Sequence, residues 1–138
     1  YYMTVYSVCS KMTNILRDVG EDAVRGRIYL PKEDMDRFGV TEQSILNGVC
    51  DERYKNLIKF EIQRARDYYA KSYEGIPMLA PKSRLSVQAA ADIYGAILDK
   101  IEENDYDNFR KRAYVTKPEK FGKIPMTWWK CRQMTPTE

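Results

Sequence analysis

Apolar residues recur at helical spacing through most of this chain. Between about Asp51 and Tyr73, Tyr54, Leu57, Ile58, Ile62, Ala65, Tyr68, Tyr69 and Tyr73 fall on one face, while Lys55, Lys59, Gln63, Arg66 and Lys71 lie largely elsewhere. This spacing predicts a long core-facing helix, which Gly75 and Pro77 end. A second long helix is predicted from about Ser83 to Glu103, with Leu85, Ala89, Ala90, Ile93, Tyr94, Ile97, Leu98 and Ile101 inward and Asn104 as its stop. Near the start, Met12, Ile15, Leu16, Val19 and Ala23 gather into an apolar arc at 100° per residue. The aromatic and β-branched residues of positions 1–10 are compatible with a strand, but we read them as the first turns of that same helix. It is expected to stop near Arg25-Gly26, because glycine is favoured just past a helix end.

The links are short. Ile28-Tyr29-Leu30 before Pro31 reads as extended, since the residue before proline avoids the α region. Brief helices are predicted over Lys32 to Phe38, stopped by Gly39, and over Glu42 to Leu46, capped by Thr41 and ended by Asn47-Gly48. A turn or short helix carries Tyr106 to Arg112, and a last helix runs from Glu119 to Lys130 after Pro118. With no alternating strand pattern and no repeat, the fold class is all-α, a bundle of long helices with short connections.

Composition narrows the function classes. At 138 residues the chain is expected to form one domain or part of one. Its net charge of +3 comes from 23 basic and 20 acidic residues scattered along the sequence, so we expect no nucleic-acid partner. Cys9, Cys50 and Cys131 form no CxxC pair, which favours a reducing compartment over a disulfide framework. Histidine is absent, which excludes histidine-based catalysis and histidine metal sites. No apolar run approaches the roughly 20 residues of a membrane span, leaving a soluble protein or one in peripheral membrane contact. The chain opens on Tyr1 with no targeting segment visible, and we read it as part of a longer protein.

The dense chemistry lies between Thr13 and Pro31. Asn14, Asp18 and Asp22 recur every four residues, so a helix carries them up one face about 40° apart, with Glu21 beside them. The stripe begins where the apolar arc ends. On its own a pair of acids one turn apart reads as a solvated surface, yet Arg17, Arg25 and Arg27 bracket these two. Carboxylates on the rim of an apolar wall suit a magnesium site completed by substrate phosphates. Asp99 and Glu103 make another acidic pair, which sits opposite the apolar face beside Lys100 and reads as solvated.

The run Asn14-Ile15-Leu16-Arg17-Asp18-Val19-Gly20-Glu21-Asp22, followed by Arg27-x-Tyr29-x-Pro31, resembles the second aspartate-rich motif of the squalene and phytoene synthases. The wording is closest to the phytoene branch. Asn104-Asp105-Tyr106-Asp107-Asn108-Phe109 and Lys111-Arg112-Ala113-Tyr114-Val115 resemble the C-terminal part of the same enzymes, so the likeness covers roughly Met12 to Pro125. It implies a partial helical bundle of the isoprenoid synthase type, with residues 1–138 as the C-terminal part of a single domain. It also implies a prenyltransferase that joins two molecules of geranylgeranyl diphosphate head to head, through a cyclopropyl diphosphate, to phytoene.

By the same resemblance the cofactor is Mg²⁺, with Mn²⁺ as a substitute. Asn14, Asp18 and Asp22 are the expected metal ligands, Asp18, Asp22 and Arg17 the catalytic set, and Asn14, Arg17, Tyr94 and Arg112 the substrate contacts. Glu21 stands as an outer acid, and Arg27 with Tyr29 as residues that close the loop over the site by packing and pairing. Two positions depart from the family pattern: Ser7 stands where it has glycine and Lys11 where it has glutamine. The first aspartate-rich motif, which would face this one across the cavity, is absent from the chain. Two alternatives stay open, a squalene synthase-like enzyme that uses NADPH and a catalytically incomplete helical module. The oligomeric state is not readable, and the expected localisation is the plastid in a photosynthetic eukaryote, otherwise the cytoplasm or a membrane surface.

Overall fold

The computed structural model describes residues 1–134, and among these the chain is helical with no strand. In chain order the helices are α1 (Tyr2–Arg17), α2 (Val19–Val24), α3 (Lys32–Phe38), α4 (Glu42–Leu46), α5 (Glu52–Tyr73), α6 (Pro81–Glu103) and α7 (Lys117–Gln133). A single 3₁₀ turn, Ile76–Met78, joins α5 to α6. Local signals set most boundaries. Asp51 caps α5 by accepting from the Tyr54 amide at 3.0 Å, Thr41 caps α4 through the Ser44 amide, and Gly39 closes α3 at φ +70°. Pro81 opens α6, two residues before the expected Ser83, because proline fits the first turn of a helix. α7 is longer than expected because Thr116 and Glu119 form a capping box ahead of it.

α1 lies along α5, and α6 packs against both. Cys9 and Leu16 of α1, Leu57, Ile58, Ile62 and Ala65 of α5, and Ala91, Leu98 and Ile101 of α6 are fully or almost fully buried between them. The short helices α2 to α4 cover one end of this core, adding Val19, Met35 and Ile45. α7 runs along the outside of α6. There Thr127 donates to Asp92 Oδ2 at 2.8 Å, while Tyr73 and Gln88 donate to Asp92 Oδ1 at 3.1 and 2.9 Å.

The first half of α6 departs from expectation. Arg84, Gln88 and Ala91 are buried, while Leu85, Ala89, Ala90, Ile93 and Tyr94 are only half-buried. Arg84 explains part of this rotation, donating to the carbonyls of Pro77 (2.7 Å), Leu79 (2.9 Å) and Met134 (2.9 Å) and so tying the α5–α6 corner to the end of α7. Carbonyls with no partner in the helices make a buried guanidinium tolerable without a carboxylate. The apolar face that results is partly open on the side of α6 carrying Tyr94.

A buried acid cluster fastens α3 to α5. Arg64 donates Nη1 to Asp34 Oδ2 at 2.7 Å and Nη2 to Oδ1 at 3.2 Å, and Nη1 lies 3.4 Å from Glu61. The hydrogen bonds from Arg64 hold the Asp34 carboxyl below its ordinary range. Glu61 is 3% exposed, and burial, with Asp34 beside it, pushes its carboxyl up to about 7 from an ordinary 4.5. The acid therefore weakens the fold as pH rises from 4.5 through 7, because over that range the unfolded chain releases a proton that the folded chain keeps; above 7 the penalty is constant. Glu61→Gln is expected to match the parent near pH 4 and to exceed it by about 2 kcal/mol at pH 8. Urea melts at the two pH values test this, and parallel curves would refute it.

Candidate active site

The acidic stripe stands where α1 gives way to α2. The single helix expected to run on to Arg25 is interrupted at Asp18, whose backbone (φ −100°, ψ 10°) lies in the bridge region common among active-site residues. Winding nevertheless continues, with Asp18 N–H donating to the Asn14 carbonyl at 3.0 Å and Asp22 N–H to the Asp18 carbonyl at 2.8 Å. Asn14, Asp18 and Asp22 thus keep their one-turn spacing across the break. The Asp22 carbonyl then accepts from Arg25 and Arg27 at 3.0 and 2.8 Å, folding the chain back at Gly26.

Asp18 is gripped from two sides. Arg17 meets it as a fork, Nε to Oδ1 at 2.9 Å and Nη2 to Oδ2 at 3.0 Å. Arg112, far along the chain, brings Nη2 to 3.6 Å from Asp18 Oδ1 and Nη1 to 3.3 Å from Glu21 Oε1. The hydrogen bonds from Arg17 lower the Asp18 carboxyl most, with the charges of Arg17, Arg112 and Arg25 adding to the effect. Asp18 is consequently an ionised acceptor at neutral pH and a poor proton donor. The same bonds raise Arg17 above its ordinary value. Asn14 and Asp22 are half-buried, and their side chains make no hydrogen bond among the described residues.

A close backbone contact brings Arg112 here. After α6 the chain turns through Asp105 and Tyr106, both at positive φ, and lays Asn108 and Phe109 directly on Gly20 of α2. A Cβ at Gly20 would stand 2.2 Å from the Asn108 carbonyl oxygen. Phe109 stacks on Tyr54 at 4.8 Å between ring centroids, and Ala113 and Val115, which follow Arg112, are buried. A glycine between two acids inside a helical run is the signal that could have exposed this contact.

Arg17, Asp18, Glu21 and Arg112 are therefore brought together, with Asn14 and Asp22 one turn to either side of Asp18, while Tyr94 is half-buried on α6 and makes no side-chain hydrogen bond to any of them among the described residues. Arg27 and Tyr29 differ from expectation: both are exposed, and neither side chain makes the pairing foreseen for them among the described residues. Ser7 turns its hydroxyl to the Met3 carbonyl, and Lys11 is exposed one turn before Asn14.

The donor set consists of two carboxylates and an amide oxygen, all hard, with no sulfur or imidazole, and it fits magnesium. It does not close a cage by itself, since no group of three His, Cys, Asp or Glu side chains among the described residues could hold a metal ion. Oxygens from a diphosphate and from a facing wall would complete it.

A sequence profile for squalene/phytoene synthase matches residues 7–119. The chain belongs to that family. It is 50% identical over 125 residues to the 15-cis-phytoene synthase of Synechocystis sp., covering 91% of this chain and 37% of that protein. Identity to phytoene synthase 1, chloroplastic, of Zea mays is 45% over 123 residues, covering 89% and 30%. Among solved structures, a dehydrosqualene synthase in complex with ligand superposes with a TM-score of 0.84 at 30% identity, over 96% of this chain and 47% of that one. The fold is thus the helical one of the isoprenoid synthases. The chain spans between 29% and 41% of the length of the curated relatives compared.

Proposed function

We propose that residues 1–138 are the C-terminal part of one isoprenoid synthase domain and supply one wall of its diphosphate site. In this reading the whole protein is a phytoene synthase-like prenyltransferase that condenses two geranylgeranyl diphosphates to phytoene, a step of carotenoid biosynthesis. The observation that carries it is Asp18 on a helix break, clamped by Arg17 and Arg112, with Asp22 one turn further on, at the border of a half-open apolar face.

Asn14, Asp18 and Asp22 would hold magnesium, or manganese in its place, and the ion supplies positive charge to the departing diphosphate. The protein's own groups do the rest. Arg17 and Arg112 are forks suited to diphosphate oxygens, and Arg112, half in solvent, exchanges its carboxylate partners for them readily. Lys11 reaches the same oxygens as a point charge in place of glutamine. Asp18 stays ionised and accepts, so the acids serve as ligands and not as a general acid or base. Tyr94 and the half-buried stripe of Leu85, Ala89 and Ile93 form a wall for the prenyl chain, and the Tyr94 ring face can stabilise an allylic cation passing near it. Relatives from maize and other plants are named chloroplastic, and the plastid is the compartment proposed if the source is a photosynthetic eukaryote.

The test is to incubate the protein at the full length of its relatives with labelled geranylgeranyl diphosphate and magnesium. Phytoene formation without NADPH is expected, and residues 1–138 alone are expected to form none. A requirement for NADPH with farnesyl diphosphate would favour the squalene synthase-like alternative. No product from the longer protein would favour the incomplete module, and product from the isolated chain would overturn the one-wall reading.

A further inference from the structure

An open cavity of about 400 Å³ lies where α5, α6 and α7 meet, and neither the fold nor the acidic stripe accounts for it. α1 and α2, which carry Asn14, Asp18 and Asp22, contribute no residue to its lining. α6 presents Asp92, Gly95 and Asp99 to it along one face, spaced three and four residues apart. α7 adds Lys123, Thr127 and Lys130, and α5 adds Arg66, Tyr69 and Tyr73. A glycine inside a helix costs about 1 kcal/mol relative to alanine. At Gly95 neither a positive φ nor a close neighbour calls for one, since an added Cβ would meet nothing within 4 Å. The residue leaves room instead of packing.

The charges around this space do not cancel. Arg66 is satisfied by Asp99 at 2.7 Å and by the two oxygens of Glu102 at 2.7 and 3.0 Å. Lys123 and Lys130 make no ion pair among the described residues, and Lys123 is half-buried. Asp92 is held by neutral donors only, Thr127 on Oδ2 and Tyr73 with Gln88 on Oδ1. Burial and the charge of Asp92 push the Tyr73 phenol well above its ordinary value, so it remains a donor. A carboxylate offers about four acceptor places, and Asp92 Oδ2 therefore keeps one open.

We propose that this cavity binds a small, water-soluble monoanion with an apolar body and a hydrogen-bond donor at its far end, an aromatic hydroxycarboxylate being the simplest such molecule. Lys123 and Lys130 take the anionic group as point charges, and two ammoniums against one unpaired carboxylate leave a net attraction for a single negative charge. The donor fills the open place on Asp92, and the rings of Tyr69 and Tyr73 with Ala96 hold the apolar body. A volume of about 400 Å³ falls within the range of small-molecule sites, roughly 300–1,000 Å³. A phosphate dianion suits the cavity less, because the Asp92 charge stands against it. The proposal does not rest on the reaction assigned above.

The probe is 4-hydroxyphenylacetate, added to the protein at the full length of its relatives in EDTA and followed through the NMR relaxation of its ring protons. A Kd on the order of 1 mM or tighter is expected. 4-Hydroxyphenylacetamide, which lacks the charge, and phenylacetate, which lacks the donor, should each bind at least about tenfold more weakly. Gly95→Leu fills the space from a position that suits a helix, and should abolish binding while melting no lower than the parent. Lys123→Met keeps the length of the side chain and drops its charge; it should weaken binding about tenfold and serves as the second variant if Gly95→Leu melts lower. Absence of binding, equal binding of the amide, or full binding by Lys123→Met or by a folded Gly95→Leu protein would overturn the proposal. So would displacement of the probe by magnesium with inorganic diphosphate, which would place it at the acidic stripe.

Discussion

Alanine at Asp18 or at Asp22, placed in the protein at the full length of its relatives, is expected to lower magnesium-dependent phytoene formation by about 10³-fold or more. The two losses should look different in binding. Asp18 answers the charges of Arg17 and Arg112, and without it both guanidiniums face the site unmatched except through Glu21. The Asp18→Ala protein should therefore keep its affinity for the diphosphate, or gain some at low magnesium, while its turnover collapses. Asp22 makes no ion pair among the described residues, so Asp22→Ala should weaken the response to magnesium without that compensation. Neither change should unfold the protein, because the Arg17–Asp18 pair is partly solvated and worth about 1 kcal/mol or less. Asp18→Asn retains the shape and a hydrogen bond to Arg17 but loses the charge, and should be as inactive as alanine. Alanine variants that melt normally and still turn over would remove Asp18 and Asp22 from the metal site.

The behaviour of these acids follows from a part of the structure that the chain displays openly. Their i, i+4 spacing survives the break at Asp18, since the same amide-to-carbonyl bonds run through it, and periodicity alone has no means of registering a bridge-region residue. α5 was equally open to reading, since its apolar face repeats for its whole length and Asp51 caps it. α6 was open only in its second half. Leu85, Ala89 and Ile93 look like core residues by type, yet the buried side of that half carries Arg84 and Gln88. Their burial depends on carbonyls at 77, 79 and 134 and on Asp92, partners that no local pattern announces. Arg112 is a similar case. Nothing near it in sequence points to Asp18, and only the likeness to the synthase family suggested its role before the fold placed it there.

Gly20→Ala tests how that long-range contact is held. Gly20 is helical and its φ is not positive, so alanine would suit its backbone and, by helix propensity alone, add up to about 1 kcal/mol. Space decides the sign instead. The new Cβ would lie 2.2 Å from the Asn108 carbonyl oxygen and 2.9 Å from Phe109 Cα, both main-chain atoms with no rotamer to escape into. Relief requires the turn after α6 to lift off α2. That would open the Phe109 stack on Tyr54 and the contact from Asn108 Nδ2 to the Tyr54 hydroxyl at 3.5 Å, and carry Arg112 away from Asp18 and Glu21. A loss of about 3 kcal/mol in urea unfolding is expected, the range of overpacked cores. Gly122→Ala, at a helical position with nothing within 4 Å of the added carbon, should instead stabilise by a few tenths to about 1 kcal/mol. In the longer protein Gly20→Ala should also cost more than about tenfold in turnover through the displaced Arg112, even at temperatures where it remains folded. A Gly20→Ala chain as stable as its parent would mean that the turn yields freely, and that Arg112 owes its place to the carboxylates alone.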